Sequence, residues 1–188
     1  MEIYQPREDS YLLARCIASY LKDNNKKRHK DLSILDMGTG SGVQAKTALD
    51  LGFENITVAD INQLAISQLK EQNKDLKIIY SDLFSNIEDS FDLIVFNPPY
   101  LPEDKREPKE SRVATTAGEQ GYEIIVKFLD QAKSHLKEDG EILLLFSSLS
   151  KSNVILKHAR KLRYKYELIG KEKIDFEELF VYKFYLQN

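Results

Sequence analysis

The chain has no tryptophan, one cysteine, two methionines and three histidines in 188 residues, and these shortages exclude several chemistries at once. Cys16 can form no internal disulfide; it lies in the apolar helical stretch YLLARCIASYL and reads as a buried, inert thiol suited to a reducing compartment. The histidines at 29, 135 and 158 are scattered among lysines and show no metal-ligand spacing with Cys16, so no bound metal is expected. No apolar run approaches the roughly 20 residues that span a bilayer. The opening MEIYQPREDS lacks the basic-then-hydrophobic order of a targeting segment. A cytoplasmic protein with no membrane partner is the expectation. Positive charge is not in excess either: 27 Lys and Arg against 30 Asp and Glu give a net charge of -3, without the basicity of an autonomous nucleic-acid binder. NKKRHK (25–30) and KHARKLRYKY (157–166) read as solvated local patches. Ser147 and Ser148 follow an apolar run, but no GxSxG elbow or partner histidine accompanies them.

What is present is alternation. Helical spacing over 8–22 follows Pro6 and an acidic pair suited to a helix N-terminus. LSILDM (32–37) reads as a buried strand entering the loop GTGSG, and 43–51 as the helix that the loop opens. Strands at 56–60, 76–82 and 91–96 and a helix at 62–73 continue the rhythm. A polar loop then carries four prolines between 98 and 108, before a helix near 121–137, a strand at 141–148 and a helix near 150–162. In 165–187 two β-like runs follow each other without a helix, so they should pair as an antiparallel hairpin. The prediction is one α/β domain over residues 1–188, with a mostly parallel sheet of seven strands covered by helices on both faces. Ligands of such sheets bind beyond the C-terminal strand ends.

Three features fall at those ends. DMGTGSG (36–42) places glycines at 38, 40 and 42, a GxGxG spacing distinct from the GxGxxG of dinucleotide folds. Asp36, two residues before Gly38, would repel a pyrophosphate at the helix N-terminus and favour a cation. S-adenosylmethionine, which has no phosphate and carries a sulfonium and an ammonium, fits that environment. Asp60 stands 22 residues after Gly38, where an acid reaches ribose hydroxyls, and Asp82 is placed to approach the adenine. Each acid alone could equally be a strand-end cap; their joint placement favours a site.

FNPPYLP (96–102) is the third feature. A nitrogen conjugated to a carbonyl is a poor nucleophile, and methylating it requires in-line approach and stabilisation of the charge that grows on it. The Asn97 side-chain oxygen and a nearby backbone carbonyl can accept the two N–H bonds of a planar NH2 group, and Tyr100 can stack on that group; a proline-rich turn with a packing tyrosine is the structural alternative.

Together, DMGTGSG, Asp60, SDLF and NPPY resemble the class I S-adenosylmethionine-dependent methyltransferases that act on exocyclic or amide nitrogens. YQPREDSYLLA, FNPPYLP and AGEQGYEIIVKFL are similar to the HemK/PrmC family of protein-glutamine N5-methyltransferases, in its short archaeal and eukaryotic branch. The resemblance implies a Rossmann-like methyltransferase fold. It implies cofactor contacts at Ser10, Asp36, Gly38, Gly40, Asp60, Asp82, the Leu83 backbone and Asn97, with Asn97, Pro98 and Tyr100 at the substrate amide. The implied substrate is the GGQ glutamine of a class I peptide-chain release factor. A small zinc-binding activator protein is the implied partner, docking on LKIIY (76–80). Ala117-Gly118 departs from the GG frequent in relatives, within a 101–119 loop read as a substrate lid or an ordinary surface loop. The rival readings are a nucleic-acid N-methyltransferase acting on adenine or guanine, a protein-lysine methyltransferase, and a non-catalytic cofactor-binding subunit.

Overall fold

The computed structural model describes residues 3–23, 31–73, 76–102 and 118–186. Residues 103–117 of the 101–119 loop and the basic run NKKRHK lie outside them. Helices α1 (Glu8–Asp23), α2 (Val43–Asp50), α3 (Gln63–Gln72), α4 (Glu123–Ala132) and α5 (Ser152–Lys161) surround seven strands. The strands are β1 (Ile34–Met37), β2 (Ile56–Asp60), β3 (Lys77–Tyr80), β4 (Phe91–Phe96), β5 (Leu136–Ser147), β6 (Tyr164–Ile174) and β7 (Glu177–Leu186). They form one sheet in the order β3-β2-β1-β4-β5-β7-β6, parallel as far as β5, with β7 antiparallel to both β5 and β6.

Apolar strands make this arrangement because every residue of β1, β2 and β4 is buried, so both faces of the sheet must be covered. Alternation sorts the side chains. Leu35, Ile94, Phe96, Ile142, Leu144 and Phe146 face α4 and α5, where Phe128, Leu129 and Ile155 complete one core. Ile34, Leu93, Val95, Leu143 and Leu145 face α1 and α2, where Leu13, Ile17 and Ala48 complete the other. Cys16 is buried there, with its Sγ 3.9 Å from the Ile169 carbonyl, and burial pushes its thiol pKa up.

Three boundaries differ from the sequence expectation. The helix expected to reach 137 ends at Ala132 and passes through a short 3-10 turn, Lys133–His135, into a strand that starts at Leu136. His135 is held there by its Nδ1, 2.9 Å from the Asp89 carbonyl, and by stacking on Phe84, while Leu136 pairs with Phe91. Strand β3 ends at Tyr80: the Ser81 N–H makes a last bond to the Asp60 carbonyl of β2 at 2.9 Å, and the chain then turns through Leu83. The Ser147 hydroxyl caps the turn after β5, accepting from the Leu149 N–H at 3.0 Å, and Ser148 Oγ accepts from the Glu178 N–H at 3.0 Å. Both serines are structural. Among the described residues, no helix is long and apolar enough to cross a membrane.

Candidate active site

The C-terminal ends of β1, β2 and β4, the turn after β3, the start of α1 and the tip of the β6–β7 hairpin enclose a cavity of about 650 Å³. That is the size of sites that hold small organic ligands. Ser10, Gly38, Gly40, Asp60, Asp82, Leu83, Asn97, Pro98 and Tyr100 all lie in its wall. Ten positions expected from the sequence thus include nine that the fold brings together, although they are spread over five segments of the chain.

Asp36 is the exception. Its carboxylate is 2% exposed and turns into the loop, accepting from the Thr39 hydroxyl at 2.7 Å and the Ala45 N–H at 3.1 Å. It braces the glycine loop from behind the cavity wall, in which it has no part. The loop can close there because Gly38 has φ 61°, and a Cβ on it would stand 2.9 Å from the Phe96 ring. Burial raises the Asp36 carboxyl from 3.8 to about 7, against the two hydrogen bonds that favour its ionised form. The folded state therefore binds a proton that the unfolded state has lost, and the stability of the free protein should fall as pH rises from about 4 to about 7. A cationic ligand reverses the preference: S-adenosylmethionine should bind several-fold more tightly at pH 8 than at pH 6 and release protons as it does. Calorimetry in two buffers of different ionisation enthalpy measures that proton release, and pH-independent binding without it would contradict the assignment.

Asp60 ends β2 with both oxygens engaged at one side, Oδ2 with the Gly40 N–H at 2.8 Å and Oδ1 with the Asn62 N–H at 2.7 Å, and burial pushes its carboxyl up. Asp82 stands at the rim, half-exposed, with the Lys127 Nζ at 3.5 Å. Leu83 beside it adopts φ 49°, held by the Ser81 hydroxyl, which donates to its carbonyl at 2.6 Å. Leu83 is buried although its φ lies in the left-handed region that non-glycine residues seldom adopt.

The NPPY segment leaves β4 over α4. Gly121, with φ 81°, passes under it so closely that a Cβ would lie 2.8 Å from the Tyr100 carbonyl, and the same carbonyl accepts from the Ser150 hydroxyl at 2.8 Å. Residues of the AGEQGYE stretch thus support Tyr100 from below. Glu123 closes that stretch by accepting from the Gln120 and Tyr122 N–H groups at 2.9 and 3.0 Å.

The centre of the site is a residue that sequence reasoning had assigned only to a helix start. Asp9 is 4% exposed and receives the Tyr4 hydroxyl at 3.1 Å, the Ser10 N–H at 2.6 Å, the Ser10 hydroxyl at 3.2 Å and the Asn97 Nδ2 at 3.0 Å, with the Tyr100 hydroxyl at 3.5 Å. Burial first, and the Asp9 charge second, push the Tyr4 and Tyr100 phenols up, so both remain protonated donors. The Asn97 amide gives its nitrogen to Asp9, and its oxygen is left buried on the other side of the amide.

Among the described residues, three buried side-chain polar atoms lack a hydrogen-bond partner: Gln44 Oε1, Asn97 Oδ1 and Glu177 Oε2. All three are acceptors and belong to residues of the cavity wall. Gln44 repeats the Asn97 pattern, with its Nε2 donating to the Ser10 carbonyl at 3.0 Å and its oxygen free. Buried acceptors are normally satisfied, so the cavity calls for ligands that bring N–H donors. No group of three or more His, Cys, Asp or Glu among the described residues is placed to hold a metal ion.

The sheet order and this cavity define a class I methyltransferase. Residues 14–169 match the family described as methyltransferase small domain, and the chain belongs to it. A Methanocaldococcus jannaschii protein named as a protein N5-glutamine methyltransferase is 34% identical over 186 residues, 96% of this chain and 90% of that protein. The release factor glutamine methyltransferase of Lactococcus lactis is 37% identical over 152 residues, 74% of this chain and 54% of that protein. The chain thus spans about half the length of this bacterial relative. Among solved structures, the E. cuniculi Mtq2–Trm112 complex, responsible for methylation of the eRF1 translation termination factor, matches with a TM-score of 0.76 at 25% identity, covering all of both chains. A ribosomal protein L11 methylase from Lactobacillus delbrueckii, at TM-score 0.69 and 20% identity over 96% of this chain and 80% of that one, shares the fold. The family and its structural neighbours are S-adenosylmethionine-dependent.

Proposed function

We propose that the chain transfers a methyl group from S-adenosylmethionine to the side-chain amide nitrogen of a protein glutamine, the GGQ glutamine of a class I release factor. One observation carries this: in the cavity wall, Asn97 Oδ1 is buried without a hydrogen-bond partner, while the Nδ2 of the same amide is held by Asp9. Such an acceptor selects a planar NH2 group. It takes one N–H, the Pro98 carbonyl takes the other, and the Tyr100 ring packs on the amide plane. Two acceptors on one nitrogen turn its lone pair out of the amide plane and stabilise the positive charge that develops there. Ser10, Gly38, Gly40, Asp60, Asp82, Leu83 and Asn97 would hold the cofactor, which when bound would supply an electrophilic methyl group on its sulfonium and leave as the neutral thioether. The amide nitrogen would lose its proton to water after transfer, so no strong base is required of the chain.

The relatives' names support a glutamine as acceptor and a release factor as substrate, and the Mtq2–Trm112 structure supports a partner protein. Strand β3 lies at one edge of the sheet, with Tyr80 48% exposed, and an open edge accepts an added strand. We assign the activator to that edge and the protein to the cytoplasm, where release factors work.

The test is methyl transfer from labelled S-adenosylmethionine to the release factor, to its GGQ-to-GGA version and to total RNA, with and without the activator. Label on the factor that disappears with GGA is the expected result. Label on RNA alone would move the assignment to a nucleic-acid N-methyltransferase, and label retained by GGA to another side chain such as lysine. Label on neither, despite cofactor binding, would make the chain a binding subunit.

A further inference from the structure

Gln44 and Asn97 account for two of the three unpartnered acceptors, and the third, Glu177 Oε2, belongs to an element to which neither the family resemblance nor the cofactor assigns a role. Glu177 opens β7 at the tip of the C-terminal hairpin. Because β7 runs antiparallel to β5, with Leu179 opposite Ser147, that tip projects beyond the same strand ends that form the cavity. In the sheet order, the cofactor acids stand after β2 and β3, whereas the hairpin lies beyond β4 and β5, on the side of Asn97 and Tyr100. Ile174 and Glu177 both line the cavity, and the Glu177 charge is close enough to the Tyr100 phenol to push its pKa up. Between them, Phe176 is 96% exposed, a large apolar side chain that contributes nothing to either core.

A rigid hairpin explains why such a tip can recognise anything. Its base is locked by the antiparallel ladder to β5, and Ser148 Oγ accepts the Glu178 N–H at 3.0 Å immediately behind the tip. A buried carboxylate oxygen without a donor costs stability, and the protein keeps one beside the place where an accepting side chain enters. The donors that always accompany that side chain are the main-chain N–H groups next to it, within one extended side chain's length of the accepting nitrogen.

We propose that the β6–β7 hairpin tip is the polypeptide-recognition element of the enzyme: Glu177 accepts a main-chain N–H beside the methylated glutamine, and Phe176 packs on the substrate protein outside the cavity. This rests on the glutamine reading. It makes the cavity a site for an extended polypeptide, gripped on one side by Asn97 and on the other by the hairpin.

The experiment compares wild type, Glu177→Ala, Glu177→Gln and Phe176→Ala against a short GGQ peptide and the whole release factor. Fluorescence anisotropy gives peptide and factor affinity, calorimetry gives cofactor affinity, and label incorporation gives kcat/KM. Loss of a hydrogen bond to a charged group predicts that Glu177→Ala weakens peptide binding and kcat/KM by about tenfold or more, with cofactor affinity within about threefold of wild type. Glu177→Gln, which keeps an acceptor, should retain most of the binding. Phe176→Ala should weaken the whole factor several-fold and leave the short peptide unchanged. Peptide binding unchanged in Glu177→Ala overturns the proposal, as does a Glu177→Gln loss equal to that of Glu177→Ala, which would mean a cationic side chain in place of the N–H. An unlabelled factor with wild-type enzyme removes the glutamine reading and this proposal together, whereas a labelled factor with unaffected hairpin variants removes this proposal alone.

Discussion

Asn97→Ala should lower kcat for methyl transfer by about two to three orders of magnitude, the usual loss when one preorganised partner of the reacting group is removed. The reason lies in a single atom. Asn97 Oδ1 is the one unpartnered buried acceptor at the end of β4 among the described residues. The substrate amide would keep the Pro98 carbonyl but lose the second bond that sets its orientation, so its lone pair would stay conjugated with the carbonyl. Stability should change little. Asp9 would lose the Asn97 Nδ2 but keep the Tyr4 hydroxyl and both Ser10 donors, so no buried charge is left bare. Cofactor affinity should fall by less than about tenfold, because Gln44, Asp60 and the glycine loop remain. Single-turnover label incorporation with saturating cofactor separates the chemical step from binding, and near-normal turnover would remove Asn97 from the mechanism.

How far the sequence reading reached follows from the range of the interactions involved. Strand ends are local: a buried apolar run stops, and a glycine, an aspartate or NPPY follows, so Gly38, Asp60, Asp82 and Asn97 could be placed at the rim of a sheet before its order was known. The hairpin was legible because no helix separates its two runs. The direction of each side chain was not. Asp36 and Asp60 both sit at strand ends after a buried run, yet one turns behind the loop to Thr39 and Ala45 while the other faces the cavity. Hydrogen bonds formed after folding decide that difference, and residue type does not encode it. The contact between Asp9 and Asn97 spans 88 residues, and the free oxygens of Gln44 and Glu177 exist only because their neighbours in space supply no donor. The early end of α4 has the same origin, since His135 is held by Asp89 and Phe84 from distant segments.

Asp9 carries the other large effect. It is a positioning residue: its carboxylate decides which end of the Asn97 amide faces the substrate. Asp9→Asn keeps the shape and removes the charge, so five surrounding donors would meet a group with one acceptor oxygen and two N–H bonds of its own. When the new amide turns its nitrogen towards Asn97, the Asn97 amide is driven to present its oxygen to position 9 and its N–H bonds to the cavity. A donor would then face the donors of the substrate glutamine. The expected result is a fall in kcat of roughly tenfold to a hundredfold, the range for losing a charge-assisted hydrogen bond, with the cofactor dissociation constant within about threefold of wild type. A merely structural role for Asp9 would lower the melting temperature and cofactor affinity together with kcat. Tyr4→Phe is the control: it removes one of the Asp9 donors but leaves the charge facing Asn97, so its kcat should stay within about fivefold of wild type. If Tyr4→Phe falls as far as Asp9→Asn, the network matters as a whole and the Asn97 amide is not fixed by the Asp9 charge. If only Asp9→Asn falls, a carboxylate that touches no reacting atom sets the polarity of the site through one hydrogen bond.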